Sequence, residues 1–193
     1  MNLPNILSFF RILLVPLIPV FMLNSNIPGN NYIVTAILFV SGVTDVLDGY
    51  FARKNKQVTV LGKILDPLAD KLTQFVVFIT IYICYRHIPI LMVYVIIYFA
   101  KELLMFIGTL TVKKKTTSLV SSNIVGKVAT LSFYLSIGLF LLIEKIIGEN
   151  ELVIIILLSI PMVTTVFAFF AYSYKYIFID KIFKKEIETS EKE

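Results

Sequence analysis

Six apolar runs, each about as long as the 20 residues that carry an α-helix across a hydrocarbon core, take up almost the whole chain. They lie near residues 5–24, 31–53, 61–86, 89–112, 123–144 and 151–175. Inside lipid every backbone N–H and C=O must be paired within the structure, and a single run of this length achieves that as a helix. The expected fold is therefore all-α: six transmembrane helices in one integral membrane domain over residues 1–179, followed by a charged tail over 180–193. At 58% hydrophobic and 16% charged, the chain is too apolar to cover a soluble domain with polar side chains. A bundle of this size also leaves no room for a second domain beside it. The tail mixes charges with few apolar residues and reads as a surface helix that frays. The first run has no basic stretch before it and no small-residue cleavage site after it, so no cleaved signal peptide is expected. Cys84 is the only cysteine, which excludes an intrachain disulfide.

The connections alternate in charge. Asn24 to Asn30, Arg86 to Pro89, and Gly148 to Asn150 carry turn residues, and around them only Arg86 and Lys145 are permanent cations. The other set holds Arg53, Lys54, Lys56 and Lys63, then Lys113, Lys114, Lys115 and Lys127, then Lys175, Lys181, Lys184 and Lys185. Basic loops stay on the cytoplasmic side. That rule places both termini and the second connection in the cytoplasm, with the chain in the cell membrane. The net charge of +5 is spread over membrane-adjacent loops, which suits anionic lipid heads and not nucleic acid. His87 falls on the outer side with nothing near it to complete a metal site.

Four carboxylates interrupt this pattern. Asp45 and Asp48 close the second run, and Asp66 and Asp70 open the third. A carboxylate at mid-bilayer costs about 2.5–3.5 kcal/mol on insertion scales, less near a helix end, so four together call for a shared reason. Helical spacing puts Asp45, Asp48, Gly49 and Ala52 on one face, and Gly62, Asp66 and Asp70 on another. Oxygen ligands without His or thiolate suit Mg²⁺ or Mn²⁺, and four carboxylates suffice for two ions. Two such ions can clamp the attacking and leaving oxygens of an in-line phosphoryl displacement. Gly49 and Gly62 allow a diphosphate close to the backbone, and Arg53 offers it a planar charged donor. Asp66 followed by Pro67 also reads as a helix start with Asp66 as its cap, but capping accounts for neither Asp45 nor Asp70.

The string Asp45-x-x-Asp48-Gly49-x-x-Ala52-Arg53, eight residues, then Gly62-x-x-x-Asp66-x-x-x-Asp70 resembles the complete signature of the CDP-alcohol phosphatidyltransferases. Asn2-Leu3-Pro4-Asn5, followed by Arg11, and the stretch Leu65 to Leu72 look most like that family's phosphatidylglycerophosphate synthase branch. The resemblance implies six membrane helices, a homodimer, and attack of an alcohol hydroxyl on the phosphatidyl phosphorus of CDP-diacylglycerol with loss of CMP. It further implies that Asp45, Asp48, Asp66 and Asp70 hold the metals, that Asp70 is also the catalytic base, and that Asp48, Gly49, Ala52, Arg53 and Gly62 hold the cytidine diphosphate.

If the acceptor is glycerol 3-phosphate, its phosphate needs cations, and Lys101 and Lys127 are the candidates. Lys101-Glu102 also reads as an ion pair hidden in the bundle. The synthase branch usually shows Arg-Glu at that point, and Gly-Lys-x-Lys-Thr where this chain has Gly126-Lys127-Val128-Ala129-Thr130. These departures, with Ala171-Tyr172-Ser173-Tyr174, bring a cardiolipin synthase using phosphatidylglycerol within reach. A divalent cation transporter is the alternative of a different class, because membrane carboxylates also line ion pathways.

Overall fold

Prolines and glycines decide where the apolar runs stop. In the computed structural model, which describes residues 3–54, 62–113, 124–148 and 150–190, the first run is two helices, α1 (Leu3–Leu14) and α2 (Leu17–Met22). The division falls at Pro16, which has no N–H and whose ring excludes the carbonyl four residues back. Tighter bonds replace the ladder there: Val15 N–H donates to the Ile12 carbonyl at 3.3 Å and Ile18 N–H to the Val15 carbonyl at 3.2 Å. The single helix expected over 5–24 is thus one span in two segments, with Val15, Ile18 and Met22 turned inward.

The remaining runs are single helices: α3 (Asn30–Lys54), α4 (Gly62–Cys84), α5 (Pro89–Lys113), α6 (Ile124–Ile147) and α7 (Glu151–Ser190). With α1 and α2 taken together, six helical stretches among the described residues are long and apolar enough to cross a membrane. The last helix continues to Ser190 without a break at residue 179.

The α6–α7 turn shows how sharply an end can be set. Gly148 adopts φ +62° and its N–H donates to the Glu144 carbonyl at 2.9 Å, a left-handed cap that an L side chain resists. Asn150 then caps α7, its Oδ1 accepting from Val153 N–H at 3.4 Å. Gly148→Ala is expected to cost about 1 kcal/mol from this backbone strain alone, since the new methyl would meet nothing within 4 Å. Gly138→Ala also enters open space, but within helix α6, so it should be neutral or slightly stabilising. Thermal unfolding of the two variants side by side checks the difference.

The helices form a closed ring. α1 packs on α3 and α4, α3 on α6, α6 on α7, α7 on α5, and α5 on α4, while α2 rests against α3 and α4. Aromatic side chains fill the interior: Phe78 meets Tyr98 and Phe133 with ring centroids 5.3 and 5.5 Å apart, and Tyr85 meets Phe140 at 5.8 Å. Such pairs add to what their burial contributes. The outer surface carries Phe39, Val46, Phe106, Ile146 and Phe167, all widely exposed. A belt of this kind has its counterpart in acyl chains, and the protein is a multi-pass membrane protein.

Candidate active site

The carboxyl end of α3 and the amino end of α4 lie at the same end of the bundle because consecutive spans run in opposite directions. Each packs on α1, and α1 brings polar groups there. Asn5, Ser8 and Arg11 recur every three residues along one face of an otherwise apolar helix, and all three are buried. The Arg11 guanidinium donates from Nη1 to Asp45 Oδ1, and its Nη2 lies 3.7 Å from Asp66 Oδ1. Ser8 Oγ donates to the same Asp66 oxygen. The Arg11 side chain is 0% exposed, whereas those of Asp45 and Asp66 are 38% and 39% exposed. The cation is therefore sealed inside while both carboxylates keep an open face toward a ligand.

Asp70 is held differently. Gln74, one turn further along α4, donates from Nε2 to both Asp70 oxygens at 3.2 Å. Tyr98 on α5 donates its hydroxyl to Gln74 Oε1 at 2.9 Å. Gln74 and Tyr98 are both buried, so the relay fixes the Asp70 carboxylate from behind, across two helices. The helix-start reading of Asp66 does not describe its place, because α4 already begins at Gly62, which is buried. Asp48, Gly49, Ala52 and Arg53 belong to α3, and their side chains lie outside the described residues.

The two lysines considered for the acceptor are in different settings. Lys101 is buried, its Nζ contacts Glu102 Oε1, and it stands 4.8 Å from the centre of the Tyr98 ring. Lys71 Nζ reaches the same Glu102 oxygen at 3.0 Å. The hidden Lys101–Glu102 pair is present, with a second cation added from α4. Lys127 is exposed near the start of α6. Sequence reasoning attached no role to Ser8, Arg11, Lys71, Gln74 or Tyr98. The three-residue recurrence of Asn5, Ser8 and Arg11 in an apolar span was the available signal for the first two.

The donor set bears on what the site can hold. Among the described residues the possible metal donors at this end are carboxylates, with neither imidazole nor thiolate beside them, and a set of hard oxygens suits Mg²⁺ or Mn²⁺. One guanidinium already joins Asp45 to Asp66, so the gap between α3 and α4 accepts positive charge. The described residues alone bring no three His, Cys, Asp or Glu side chains to one point.

Similarity to known proteins covers the same region. The family model for CDP-alcohol phosphatidyltransferase matches residues 1–172. The chain is 34% identical over 152 residues to a CDP-diacylglycerol--glycerol-3-phosphate 3-phosphatidyltransferase of Bacillus subtilis, which covers 73% of this chain and 77% of that protein. Proteins of the same name from Aquifex aeolicus and Haemophilus influenzae are each 49% identical, over 75 and 70 residues. Those matches cover 39% and 36% of this chain, and span only 40% and 37% of the relatives' own length. With the family model running from the first residue almost to the end of the last span, the chain belongs to the CDP-alcohol phosphatidyltransferase family.

Proposed function

We propose that this protein transfers the phosphatidyl group of CDP-diacylglycerol to glycerol 3-phosphate, releasing CMP and phosphatidylglycerophosphate, as a step of phospholipid biosynthesis. The observation that carries the reading is the gathering of Asp45 and Asp66 around Arg11, within a signature that matches at every position. The name shared by the relatives supports the choice of acceptor. The family is in general metal-dependent; in our reading two ions, Mg²⁺ or Mn²⁺, are held by Asp45, Asp48, Asp66 and Asp70. Bound there, they would supply positive charge to the phosphoryl oxygens and to the departing CMP.

The chain's own groups divide the remaining work. Asp70, oriented by Gln74, takes the proton of the acceptor hydroxyl as its oxygen bonds to the phosphatidyl phosphorus and the bond from that phosphorus to CMP breaks. Asp48, Gly49, Ala52, Arg53 and Gly62 hold the cytidine diphosphate. Lys127 and Lys101 receive the acceptor phosphate, with Glu102 positioning Lys101. The acyl tails stay in lipid, and so the chemistry sits near helix ends. The basic loops place this end, both termini and the tail from residue 180 on the cytoplasmic face of the cell membrane, and the protein works as a homodimer.

Purified protein supplied with CDP-diacylglycerol, Mg²⁺ or Mn²⁺ and glycerol 3-phosphate is expected to release CMP, and a chelator should stop it. No CMP with either ion would overturn the proposal. Release with phosphatidylglycerol in place of glycerol 3-phosphate would move the protein to cardiolipin synthesis. Family membership leaves the cation-transport alternative without support; flux of Mn²⁺ into sealed vesicles without nucleotide would restore it.

A further inference from the structure

The far end of the bundle holds a second polar site that the proposed reaction does not use. A cavity of about 480 Å³ opens between the loop after α2, the start of α3, and the ends of α4 and α6, with Ser25, Asn30, Asn31, Tyr85, Glu144 and Lys145 on its polar walls. Its centre is Glu144. Asn31 Nδ2 donates to Glu144 Oε2 and Tyr85 OH to Glu144 Oε1, and both donors are nine-tenths or more buried, at 7% and 8% exposure. The carboxylate is thus oriented in advance by two immobile groups.

A carboxylate inside a membrane helix is costly, and joining α3 to α6 does not require one. An ionised carboxylate accepts about four hydrogen bonds; two directions on Glu144 are taken by Asn31 and Tyr85. Glu144 lines a cavity in the size range of small-ligand sites, and Lys145, whose Nζ stands 6.0 Å from the centre of the Tyr32 ring, lines it too. Two donors already fixed on Glu144, the one carboxylate among the described lining residues, disfavour a metal ion, which would need those oxygens and several more. A primary ammonium has the opposite needs, since it brings three donors and no acceptor. The walls therefore match a zwitterion: an ammonium for Glu144 and a phosphate for Lys145.

We propose that this cavity binds the headgroup of an amine-bearing phospholipid from the leaflet opposite the aspartate site. The cavity lies at the end of the membrane spans, level with headgroups, so the lipid reaches it by lateral diffusion. Full-length protein reconstituted in vesicles of equal phosphatidylethanolamine and phosphatidylglycerol, then extracted and analysed by native mass spectrometry, tests this. Wild type should retain phosphatidylethanolamine over phosphatidylglycerol by about tenfold, the scale of one hydrogen bond to a charged group. Glu144→Gln, which keeps the shape and an acceptor for Tyr85, should lose that preference while melting normally in phosphatidylglycerol alone. Lys145→Ala, further from the packed interior, removes the partner of the phosphate that both lipids carry and should lower the retention of both alike; it covers the case in which Glu144→Gln fails to fold, and unchanged retention there would overturn the proposal. Equal retention of the two lipids by wild type, or an unchanged preference in a folded Glu144→Gln, would overturn the proposal. Soluble phosphoethanolamine raising the melting temperature as far as the lipid does would overturn the assignment to a leaflet.

Discussion

Asp70→Asn is expected to lower the turnover of CMP release by about 10²–10⁴-fold, the range contributed by a positioned general base, while the bundle stays folded. The substitution keeps the size of the side chain and an oxygen for Gln74 Nε2, which in the wild type bonds both carboxylate oxygens at 3.2 Å. Besides a share in holding the ions, the lost feature is the capacity to take a proton from the acceptor hydroxyl, which saturating ion does not restore. Asp45→Asn should behave otherwise, because Asp45 contacts Arg11 and not the Asp70 relay. There the concentration of Mn²⁺ needed for half-maximal rate should rise, with part of the rate recovered at saturating ion. Steady-state CMP release titrated with Mn²⁺ separates the two patterns. Wild-type turnover in Asp70→Asn would remove Asp70 from its assigned role.

The spans were legible because lipid simplifies the code. Backbone satisfaction forces helices, so the run over residues 31–53 predicted a helix whose start is Asn30, and the run over 89–112 one whose start is Pro89. Pro16 lay in plain view, but hydropathy averages over a window and passes across a break that preserves apolarity on both sides. At the site, helical spacing led to the expectation that the aspartate faces of α3 and α4 converge, and among the described residues Asp45 and Asp66 do meet at Arg11. The same spacing rule reaches Gln74, four residues after Asp70 on α4, but not the partner behind it: Tyr98 bonds Gln74 only because α5 crosses α4, a tertiary contact with no local trace. Arg11 lies 34 residues from Asp45 in sequence, and composition offers no reason to pair them. Glu144 shows the same limit from the other side: it reads as one charge near a span end until Asn31 and Tyr85 close around it.

Arg11→Met should destabilise the protein by about 2 kcal/mol in the presence of a chelator, and Mn²⁺ should restore much of that loss. Methionine fills much of the volume of a side chain that is fully buried, so the change isolates charge more than packing. Removing one partner of a buried ion pair costs about 3–5 kcal/mol. The value here falls lower because Asp45 and Asp66, at 38% and 39% exposure, stay in touch with solvent that screens their mutual repulsion. A divalent ion binding those carboxylates can take over the neutralising role of the guanidinium. An ion present at a hundred times its dissociation constant contributes about 2.7 kcal/mol of stability, enough to offset the loss. In the wild type the same ion meets carboxylates already neutralised by Arg11, so its stabilising effect should be smaller. The measurement is thermal unfolding of both proteins in detergent, with chelator and with saturating Mn²⁺. Arg11 holding the aspartates together predicts a larger Mn²⁺-induced rise in Tm for Arg11→Met than for wild type; equal rises, or equal stability in chelator, would show that the guanidinium does not bind the two carboxylates in a way that matters to the fold.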